Sequence, residues 1–373
     1  MLATSSFEKI MTSLSMSNGS VTQKVVCRCL EPKEEAAYLE FARAAWGNNS
    51  VQVDQSFLAW LYKENPNTRG IERDLLVLVD RNKIVGAFHR MRIPWRIDSK
   101  RLIVPSVHDL FVRSSHRTVR GEQCLVPPGV QVMLAALESE THVALFGLGE
   151  VADKIYERMR NPAVRVFWLE KIRSRANAAT QMVASRLGWS VRSSRQINRG
   201  ITKTHDFEVL RIVGPSHDEL IEALTITPAA RTYPDWDLAS YRWRFFHELG
   251  PRNILLLARR NRTLSGRAVV SIGLKNGVVV ARVVELVFQD AECLDALLEG
   301  IEETFNDMGV PVCLAVTSSR EATERLQRAG WDFRKKAIGA RWFTQRGEIR
   351  PEAFWISGGA WDYGCDARIE NLR

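Results

Sequence analysis

The chain has 373 residues, of which 45% are hydrophobic, and this is enough apolar material for about two packed domains. Its 52 lysine and arginine residues outnumber 43 acidic ones, and the formal net charge of +9 favours acidic partners such as phosphates or nucleic acid. No stretch approaches the roughly 20 apolar residues that a bilayer-spanning helix needs. We therefore predict a globular protein without a membrane span.

The start of the chain and its cysteines indicate the compartment. Residues 1–20 lack the basic start and the continuous apolar stretch of a secretion signal, so we predict a disordered tail there. The six cysteines are scattered and lack the pairwise spacing of a zinc site. We therefore expect a cytoplasmic protein with reduced thiols and no metal.

The first half of the chain alternates strand and helix patterns. A strand near residues 24–29 precedes a helix that runs from Glu31-Pro32 to Trp46, because proline is favoured in the first turn. A second helix, SFLAWLYKENP, ends at its proline, and a polar turn over residues 80–83 predicts a hairpin. The next predicted elements are the strand LIVPSVHDLFVR, a basic loop, the helix VQVMLAALES, the strand HVALFGLG, the helix EVADKIYERM, the strand VRVFWLE and the helix ANAATQMVASRLGW.

The second half repeats this order. Trp60-Leu61-Tyr62 recurs as Trp243-Arg244-Phe245, and the polar turn recurs near residues 259–262, which indicates two copies of one fold. The predicted elements are the strand FEVLRIVG, the helices HDELIEAL and ASYRWRFFHELGP, the hairpin NILLLARRNRTLSGRAVVSIGL, the strand VVVARVVELVF, the helix ECLDALLEGIEETFNDMG, the strand VPVCLAV, the helix SREATERLQRAGW and a closing strand or pair, FRKKAIGARWFT.

A third match between the halves does not keep the same spacing. Gly188-Trp189 resembles Gly330-Trp331, but at 142 residues apart instead of the 183 that separate the tryptophan motifs. Either the first copy carries an insertion, or this match is coincidental and the helix EVADKIYERM is the counterpart of SREATERLQRAGW. We favour the second interpretation.

The order of elements resembles the GNAT acyltransferase fold. Two copies in tandem, with an aromatic helix before the hairpin, resemble double-GNAT proteins associated with bacterial polysaccharide or cell-envelope biosynthesis, and the closing segment RPEAFWISGGAWDYGCD is similar to their tails. The resemblance implies an α/β (α+β) fold of two GNAT-like domains, each a mixed, mostly antiparallel sheet flanked by helices. We expect a tail over 1–20, an N-terminal domain over 21–203, a C-terminal pseudo-domain over 204–348 and a tail over 349–373.

The resemblance also implies a coenzyme site. In that family a loop of pattern Arg/Gln-x-x-Gly-x-Gly/Ala presents backbone amides to the pyrophosphate of acyl-CoA, as helix N-termini and glycine loops do in general. The stretch Arg117, Thr118, Val119, Arg120 and Gly121 resembles this loop, although the second glycine is missing and residues 124–129 are inserted before the helix. The alternative is a surface loop with solvated arginines.

In the second copy the corresponding junction has no glycine. Asp290, Glu292 and Asp295 follow the long strand there and would repel a pyrophosphate, so we place any acetyl-CoA or other acyl-CoA site in the first copy. The second copy is then a pseudo-domain that completes the substrate cleft.

GNAT chemistry is the attack of an amine on a thioester, which needs a general base and often a tyrosine that protonates the thiolate. Tyr156 resembles that tyrosine, with a core position as the alternative. His108 and Asp109 alternate on the preceding strand, so one of them should face the cleft as the base. A structural histidine and a water relay remain open.

Three functions compete. We favour an acyl-CoA-dependent N-acyltransferase that acts on an amine of a small molecule, a sugar or an envelope precursor. A catalytically silent scaffold is the second hypothesis, because the loop departs from the family pattern. The basic charge supports a third, a peptidyltransferase that uses aminoacyl-tRNA, whose binding would depend steeply on salt.

Overall fold

The fold is taken from a computed structural model of the chain. The described residues are 25–48, 50–117, 128–138, 140–148, 153–154, 156–157, 163–187, 198–204, 206–275, 277–333, 339–344 and 354–356. The predicted N-terminal tail lies outside them, as does all of the predicted C-terminal tail except 354–356. Within the described residues, no helix is long and apolar enough to cross a membrane.

Most helices form where the sequence predicts them, but two short ones were not predicted: Ile71–Asp74, and Ser114–Arg117 at the start of the predicted basic loop. Ser216 accepts a hydrogen bond from the Glu219 amide while the Glu219 carboxylate accepts one from the Ser216 amide, a capping box that begins a helix. The α-helices are α1 (Glu35–Trp46), α2 (Gln55–Tyr62), α3 (Ile71–Asp74), α4 (Ser114–Arg117), α5 (Pro128–Glu138), α6 (Arg175–Arg186), α7 (His217–Leu224), α8 (Leu238–Phe246), α9 (Ala291–Asp307) and α10 (Arg320–Arg328).

The strands form two mixed sheets. The first sheet has the order β1-β2-β3-β4-β5-β16-β6, with β10 on the far end of β3, and the second has the order β15-β7-β14-β13-β12-β11-β9-β8. The strands are β1 (Val26–Cys29), β2 (Leu75–Asp80), β3 (Lys83–Ile97), β4 (Lys100–Val112), β5 (His142–Leu148), β6 (Ala163–Val164), β7 (Phe167–Ile172), β8 (Gly200–Thr204), β9 (Phe207–Val213), β10 (Thr232–Pro234), β11 (Asn253–Arg260), β12 (Thr263–Lys275), β13 (Val278–Phe288), β14 (Val312–Thr317), β15 (Asp332–Phe333) and β16 (Gly339–Thr344).

Strands cross between the two halves of the chain. Strand β7 pairs antiparallel with β14 in the second sheet, and β16 pairs antiparallel with β5 in the first. VRVFWLE is therefore not one strand, as predicted, but two short strands in different sheets, separated at residues 165–166. The predicted units, residues 21–203 and 204–348, remain a proposal for dividing the chain, and each sheet takes strands from both.

The internal repeat is visible in the backbone. Both hairpins turn on two residues with positive φ, Arg81-Asn82 and Asn261-Arg262, as tight two-residue hairpin turns require. In both hairpins the second strand carries a bulge at the matching place, at Val85 and at Ser265. Residues 153–154 and 156–157 are helical and come between β5 and β6 in the chain, as α10 comes between β14 and β15, which supports our second interpretation of the spacing mismatch. Gly188 and Trp189 lie outside the described residues.

The predicted tryptophan motifs meet at the contact between the copies. The indole of Trp60 donates to the carbonyl of Trp243 at 2.9 Å, and the indole of Trp243 donates to the carbonyl of Trp60 at 2.7 Å. The rings stack with centroids 5.0 Å apart. Such a reciprocal contact is the signature of a pseudo-twofold axis, because each residue meets its own counterpart.

A buried ion-pair group ties three elements of the first copy together. The Arg92 guanidinium on β3 donates to Asp74 at 2.7 Å, at the end of α3, and to Glu140 at 2.5 Å, just after α5. Arg92 and Asp74 are each 1% exposed. Buried charges need such partners, so this group fixes α3 and α5 against the first sheet.

Candidate functional site

The central strands of the first sheet separate partway along their length. Strands β4 and β5 are parallel and pair only at Ser106–Ala144 and Val107–Leu145, whereas β4 continues to Val112. The other edge of β5 is occupied by β16. Among the described strands, none pairs with this side of β4 beyond Val107.

Asp109 lies where the strands separate. Residues 109 and 110 of β4 face the single residue 88 of β3, a β-bulge, and Asp109 has a φ of 54°. Aspartate is one of the few residues that tolerate this left-handed conformation. Bulges near sites reorient side chains, and here the predicted alternation of His108 and Asp109 is broken, because the His108 ring and the Asp109 carboxylate contact each other.

The Asp109 carboxylate has two polar partners. Its Oδ2 lies 3.1 Å from Nδ1 of His108 and accepts a hydrogen bond from the Gln52 side-chain amide at 2.8 Å. Burial would raise the pKa of Asp109, but its hydrogen bonds with His108 and the Gln52 amide outweigh burial, so the pKa is lowered. Its side chain is 18% exposed. An ionised carboxylate is therefore presented at the site.

His89 supports this pair from the neighbouring strand. Its ring stacks on His108 with centroids 5.7 Å apart, and its Nε2 and Nδ1 lie 2.8 and 2.7 Å from the hydroxyls of Tyr38 and Tyr62. Burial lowers the pKa of His89 to about 3, so its ring is neutral. A neutral imidazole has one donor and one acceptor nitrogen, so one tyrosine donates to it and the other accepts.

Three aromatic side chains pack against one another beside His89, whose ring lies 6.2 Å from that of Trp46. Trp46, at the end of α1, and Phe111, two residues after Asp109, are half-buried, with ring centroids 5.6 Å apart. Buried Phe41 contacts both rings at 5.9 and 6.0 Å, and the Arg113 guanidinium lies 5.7 Å from the Phe41 ring.

The other predicted site residues lie elsewhere. Tyr156 is 1% exposed in an apolar cluster that includes Val132 and Leu137 of α5, and burial raises its pKa. Arg117 is the last residue of α4, at the head of the predicted coenzyme loop. The remaining loop residues, Thr118, Val119, Arg120 and Gly121, lie outside the described residues.

In the second sheet the matching carboxylate is Glu285. Like Asp109, it lies three residues before the end of its strand, since Gly266 pairs with Phe288 as Gly86 pairs with Val112. Glu285 accepts hydrogen bonds from the Arg267 guanidinium at 2.9 and 3.2 Å, the Trp236 indole at 3.0 Å and the Tyr241 hydroxyl at 2.8 Å. Its side chain is 4% exposed, so the carboxylate is buried and its oxygens are occupied by these donors.

The end of the chain covers the matching strand edge in the second sheet. Strand β13 pairs with β14 only over 280–283, and the indole of Trp355 donates to the Leu286 carbonyl beyond that point, at 3.2 Å. The Trp355 ring also lies on Phe288, at 5.2 Å. Ile356 exchanges hydrogen bonds with Ser318, immediately after β14, at 2.8 and 2.9 Å. The segment 354–356 thus lies between the separating strands.

The helix that follows β13 has its N-terminus occupied as well. Asp290 caps α9 by accepting a hydrogen bond from the Cys293 amide at 2.8 Å. Arg260 binds Asp290 at 3.3 Å and Glu292 at 2.5 Å, and Arg325 binds Asp295. The negative side chain that the sequence analysis expected to repel a pyrophosphate therefore already fills the anion position at this helix.

Sequence reasoning missed four residues of the site, namely Gln52, His89, Tyr38 and Tyr62. Gln52 lies in the short connection between α1 and α2, and its side chain has no spacing pattern that marks it. His89 was detectable in principle, because it is a polar residue at an apolar-facing position of a strand. Its partner His108 depends on the register of β3 on β4, which a single sequence does not fix.

Comparison with known proteins shows the fold. N-myristoyltransferase from Saccharomyces cerevisiae, in a crystal structure with bound myristoyl-CoA, has a TM-score of 0.55 and 9% identity, over 90% of this chain and 86% of that one. A GCN5-related N-acetyltransferase from Kribbella flavida has a TM-score of 0.51 and 14% identity, over 87% of this chain and 71% of that one. One from Anabaena variabilis has a TM-score of 0.51 and 10% identity, over 86% and 72%.

No protein-family model matches the chain, and no curated protein matches it. The structural likeness, at identities of 9 to 14%, establishes the architecture. The chain has a GNAT-type fold with two mixed sheets, as the sequence analysis predicted.

Proposed function

We propose that the chain is an acyl-CoA-dependent N-acyltransferase with one active site, in the first sheet. The observation that carries this proposal is the ionised, partly exposed Asp109 at a bulge beside the separated edges of β4 and β5. The matching carboxylate and the matching strand edge of the second sheet are both covered. Structural relatives that include an N-myristoyltransferase with bound myristoyl-CoA and N-acetyltransferases support the same class of reaction.

The first sheet fits acyl-CoA by the chemistry of its donors. The pantetheine arm carries amides, and β5 pairs with β4 only as far as Val107, so an arm that follows β4 beyond that point would not compete with β5. Arg117 and Arg120 belong to the stretch that resembles the family's pyrophosphate loop, and α5 follows it in the chain, so guanidinium groups and a helix N-terminus are the donors that we propose for the pyrophosphate. When bound, acyl-CoA supplies an acyl group activated as a thioester.

The pair of Asp109 and His108 would handle the proton of the acceptor. The Asp109 carboxylate would bind the ammonium group of the acceptor. His108, whose Nδ1 lies 3.1 Å from this carboxylate, would take up the proton that the ammonium group loses. The two groups are in contact and would act together as the base. His89 is neutral, so it adds no positive charge beside this pair. The amine then forms the new bond to the acyl carbon while the bond from carbon to sulfur breaks.

The leaving thiolate needs a proton, and Tyr156 is our candidate for supplying it. Its raised pKa keeps the hydroxyl protonated through the physiological range. Tyr156→Phe keeps the ring in its apolar cluster, so we expect slower turnover without loss of folding. A core role predicts unchanged turnover in this variant.

The rest of the function follows from the tandem arrangement. As in double-GNAT proteins, the acceptor would be an amine of a small molecule, a sugar or an envelope precursor, with the second copy closing the cleft. Residues 21–203 would form the catalytic domain and 204–348 the pseudo-domain.

The direct test is release of coenzyme A thiol from acetyl-CoA and a longer acyl-CoA in the presence of a mixture of primary amines. We expect amine-dependent release that Asp109→Asn reduces by about 10²- to 10⁴-fold, the usual contribution of a general base. Glu285→Gln removes the matching carboxylate of the second sheet and should change the folded protein's turnover by less than about threefold.

Two results would overturn the proposal. One is equal loss in the two variants, and the other is no thiol release with any amine. Salt-sensitive binding of aminoacyl-tRNA in the latter case would favour the peptidyltransferase hypothesis.

A further inference from the structure

Gln52 reaches Asp109 from the connection between α1 and α2. Its side-chain amide donates a hydrogen bond to Oδ2 of Asp109 at 2.8 Å, and the residue is 8% exposed. The flanking residues Val51 and Val53 pack against the apolar cluster that the two copies share, so the connection is anchored on both sides of Gln52. The position of Oδ2 is therefore set by an element outside the strand that carries Asp109.

Two tyrosines and His89 hold the backbone of this connection. The Tyr38 hydroxyl donates to the Gln52 carbonyl at 3.4 Å and lies 2.8 Å from Nε2 of His89. The one proton of the Tyr38 hydroxyl therefore points to Gln52, and Nε2 of His89 donates to Tyr38. Nδ1 of the same neutral ring lies 2.7 Å from the Tyr62 hydroxyl and accepts from it. A neutral His89 thus completes a chain of hydrogen bonds that ends at the Gln52 backbone.

Both side-chain contacts of the Asp109 carboxylate are made at one oxygen. Nδ1 of His108 lies 3.1 Å from Oδ2, the atom that also accepts the hydrogen bond from Gln52. Among the described residues, none hydrogen-bonds to Oδ1, and the side chain is 18% exposed. An ionised carboxylate accepts hydrogen bonds at both oxygens, so Oδ1 is the oxygen that can accept an N–H group from a ligand.

Glu285, the matching carboxylate of the second sheet, has donors at both oxygens. Its Oε1 accepts from Trp236 at 3.0 Å and from Arg267 at 3.2 Å. Its Oε2 accepts from Tyr241 at 2.8 Å and from Arg267 at 2.9 Å. The one-sided arrangement at Asp109 therefore differs from the arrangement that simply buries a carboxylate.

We infer that Gln52 is a positioning residue, which holds Oδ2 of Asp109 so that Oδ1 binds the ammonium group of the acceptor. This inference rests on the proposed function, because it concerns the same base. Gln52 contacts no reacting atom in this role and acts through the carboxylate. Without the Gln52 amide, the Asp109 carboxylate turns more easily about its Cβ–Cγ bond, and Oδ1 no longer has one fixed direction.

The first test measures thiol release by the full chain, with acetyl-CoA and the primary amine that gives the fastest release. Gln52→Met keeps an unbranched side chain of similar length but has no N–H donor. We expect kcat to fall by about ten- to a hundredfold, because a displaced reacting group can cost about 10²-fold, while KM for acetyl-CoA stays unchanged. Trp236→Phe, which removes one donor from Glu285, is the matched control and should change kcat by less than about threefold.

Gln52→Glu separates positioning from a structural role. It keeps the shape of the side chain, but two carboxylates in contact raise the pKa of one of them, and the protonated carboxyl group can donate as the amide does. We therefore expect the turnover of this variant, relative to the natural chain, to rise at least about threefold between about pH 8 and about pH 6. The relative turnover of Gln52→Met should stay constant, because the titratable groups around the site are unchanged: His108, His89, Tyr38 and Tyr62. Gln52→Glu carries the test if the methionine variant does not fold.

A second measurement follows Asp109 without the coenzyme. Carbon-13 NMR of the full chain, labelled at the aspartate carboxyl carbons, detects the binding of butylamine as a change in the Asp109 signal, which Asp109→Asn identifies. We expect this change in the natural chain and in Trp236→Phe, and weaker binding in Gln52→Met.

The outcomes distinguish this inference from the proposed function. Butylamine binding that depends on Gln52, without thiol release by any amine, would support the positioning of Asp109 and remove the acyltransferase. Thiol release that Asp109→Asn abolishes and Gln52→Met leaves unchanged would keep the acyltransferase and overturn the inference. Equal losses in Gln52→Met and Gln52→Glu at every pH, or no effect of butylamine on the Asp109 signal of the natural chain, would also overturn it.

Discussion

Asp109 and Glu285 occupy matching positions in the two sheets, and their surroundings differ by a few residues. The place that Arg267 holds on β12 is taken by Ala87 on β3, since Arg267 pairs with Val287 as Ala87 pairs with Phe111. Without a guanidinium beside it, the Asp109 carboxylate is held by His108 and Gln52 and is 18% exposed, against 4% for Glu285. One copy therefore presents a partly exposed carboxylate where the other has a buried ion pair.

The strand edges show the same contrast. Beyond the short parallel pairing, the edge of β13 is covered by Trp355, whereas no described strand pairs with the corresponding edge of β4. A tandem fold thus provides two potential sites. In the second sheet, the ion pair of Glu285 and Arg267 and the segment 354–356 occupy the matching position.

The largest loss of unfolding free energy should follow from breaking the buried pair of Glu285 and Arg267. Glu285→Gln leaves the Arg267 guanidinium buried without a full negative charge, which typically costs about 3–5 kcal/mol of unfolding free energy. Asp109→Asn should cost less unfolding free energy than Glu285→Gln, because the Asp109 carboxylate is partly exposed and asparagine accepts the left-handed backbone at least as well as aspartate. Denaturant titration of both variants measures the difference, and similar losses would mean that the two carboxylates have the same role.

The covering segment should give the next largest effect. Trp355→Ala removes the indole that donates to Leu286 and packs on Phe288. We expect a loss of about 2 to 3 kcal/mol in unfolding free energy, less than for a fully buried tryptophan. Asp290 still caps α9, so no second acyl-CoA should bind. Trp355→Phe is the control, and a second bound acyl-CoA in the alanine variant would show that the segment alone closes the second sheet.

The neutral His89 of the first sheet should make the unfolding free energy of the protein depend on pH. In the folded protein His89 stays neutral until the pH falls to about 3, whereas in the unfolded chain it binds a proton below about pH 6.5. Stability is therefore lost as pH falls through this window, by at most about 1.4 kcal/mol per pH unit. Denaturant titrations between pH 4 and 6.5 should show a shallower slope for His89→Gln. Parallel slopes would contradict a neutral buried His89.

The sequence predicted the individual helices and strands better than it predicted which strands pair with one another. VVVARVVELVF was predicted as a strand and is β13, and HDELIEAL was predicted as a helix and is α7. Both patterns are local, since hydrophobic spacing and capping residues act within one element. The exchange of β7 and β16 between the sheets has no local pattern, because the same strand sequence could pair with either edge.

The site was predictable only where chemistry shows in a short stretch. His108 and Asp109 attract attention as polar residues inside an apolar strand, but their joint orientation comes from a bulge that depends on pairing with β3. Gln52 and the hydroxyls of Tyr38 and Tyr62 reach the site from helices and a connection. Such contacts depend on tertiary packing, which residue spacing does not encode.

The central claim is that the chain has one acyl-CoA site, in the first copy. Calorimetric titration with acetyl-CoA and with a longer acyl-CoA tests it directly, on the natural chain and on the double variant Arg117→Ala with Arg120→Ala. We predict one bound acyl-CoA per chain, with binding abolished in the double variant. Two bound molecules, binding unaffected by the double variant, or no binding of either thioester would contradict the account.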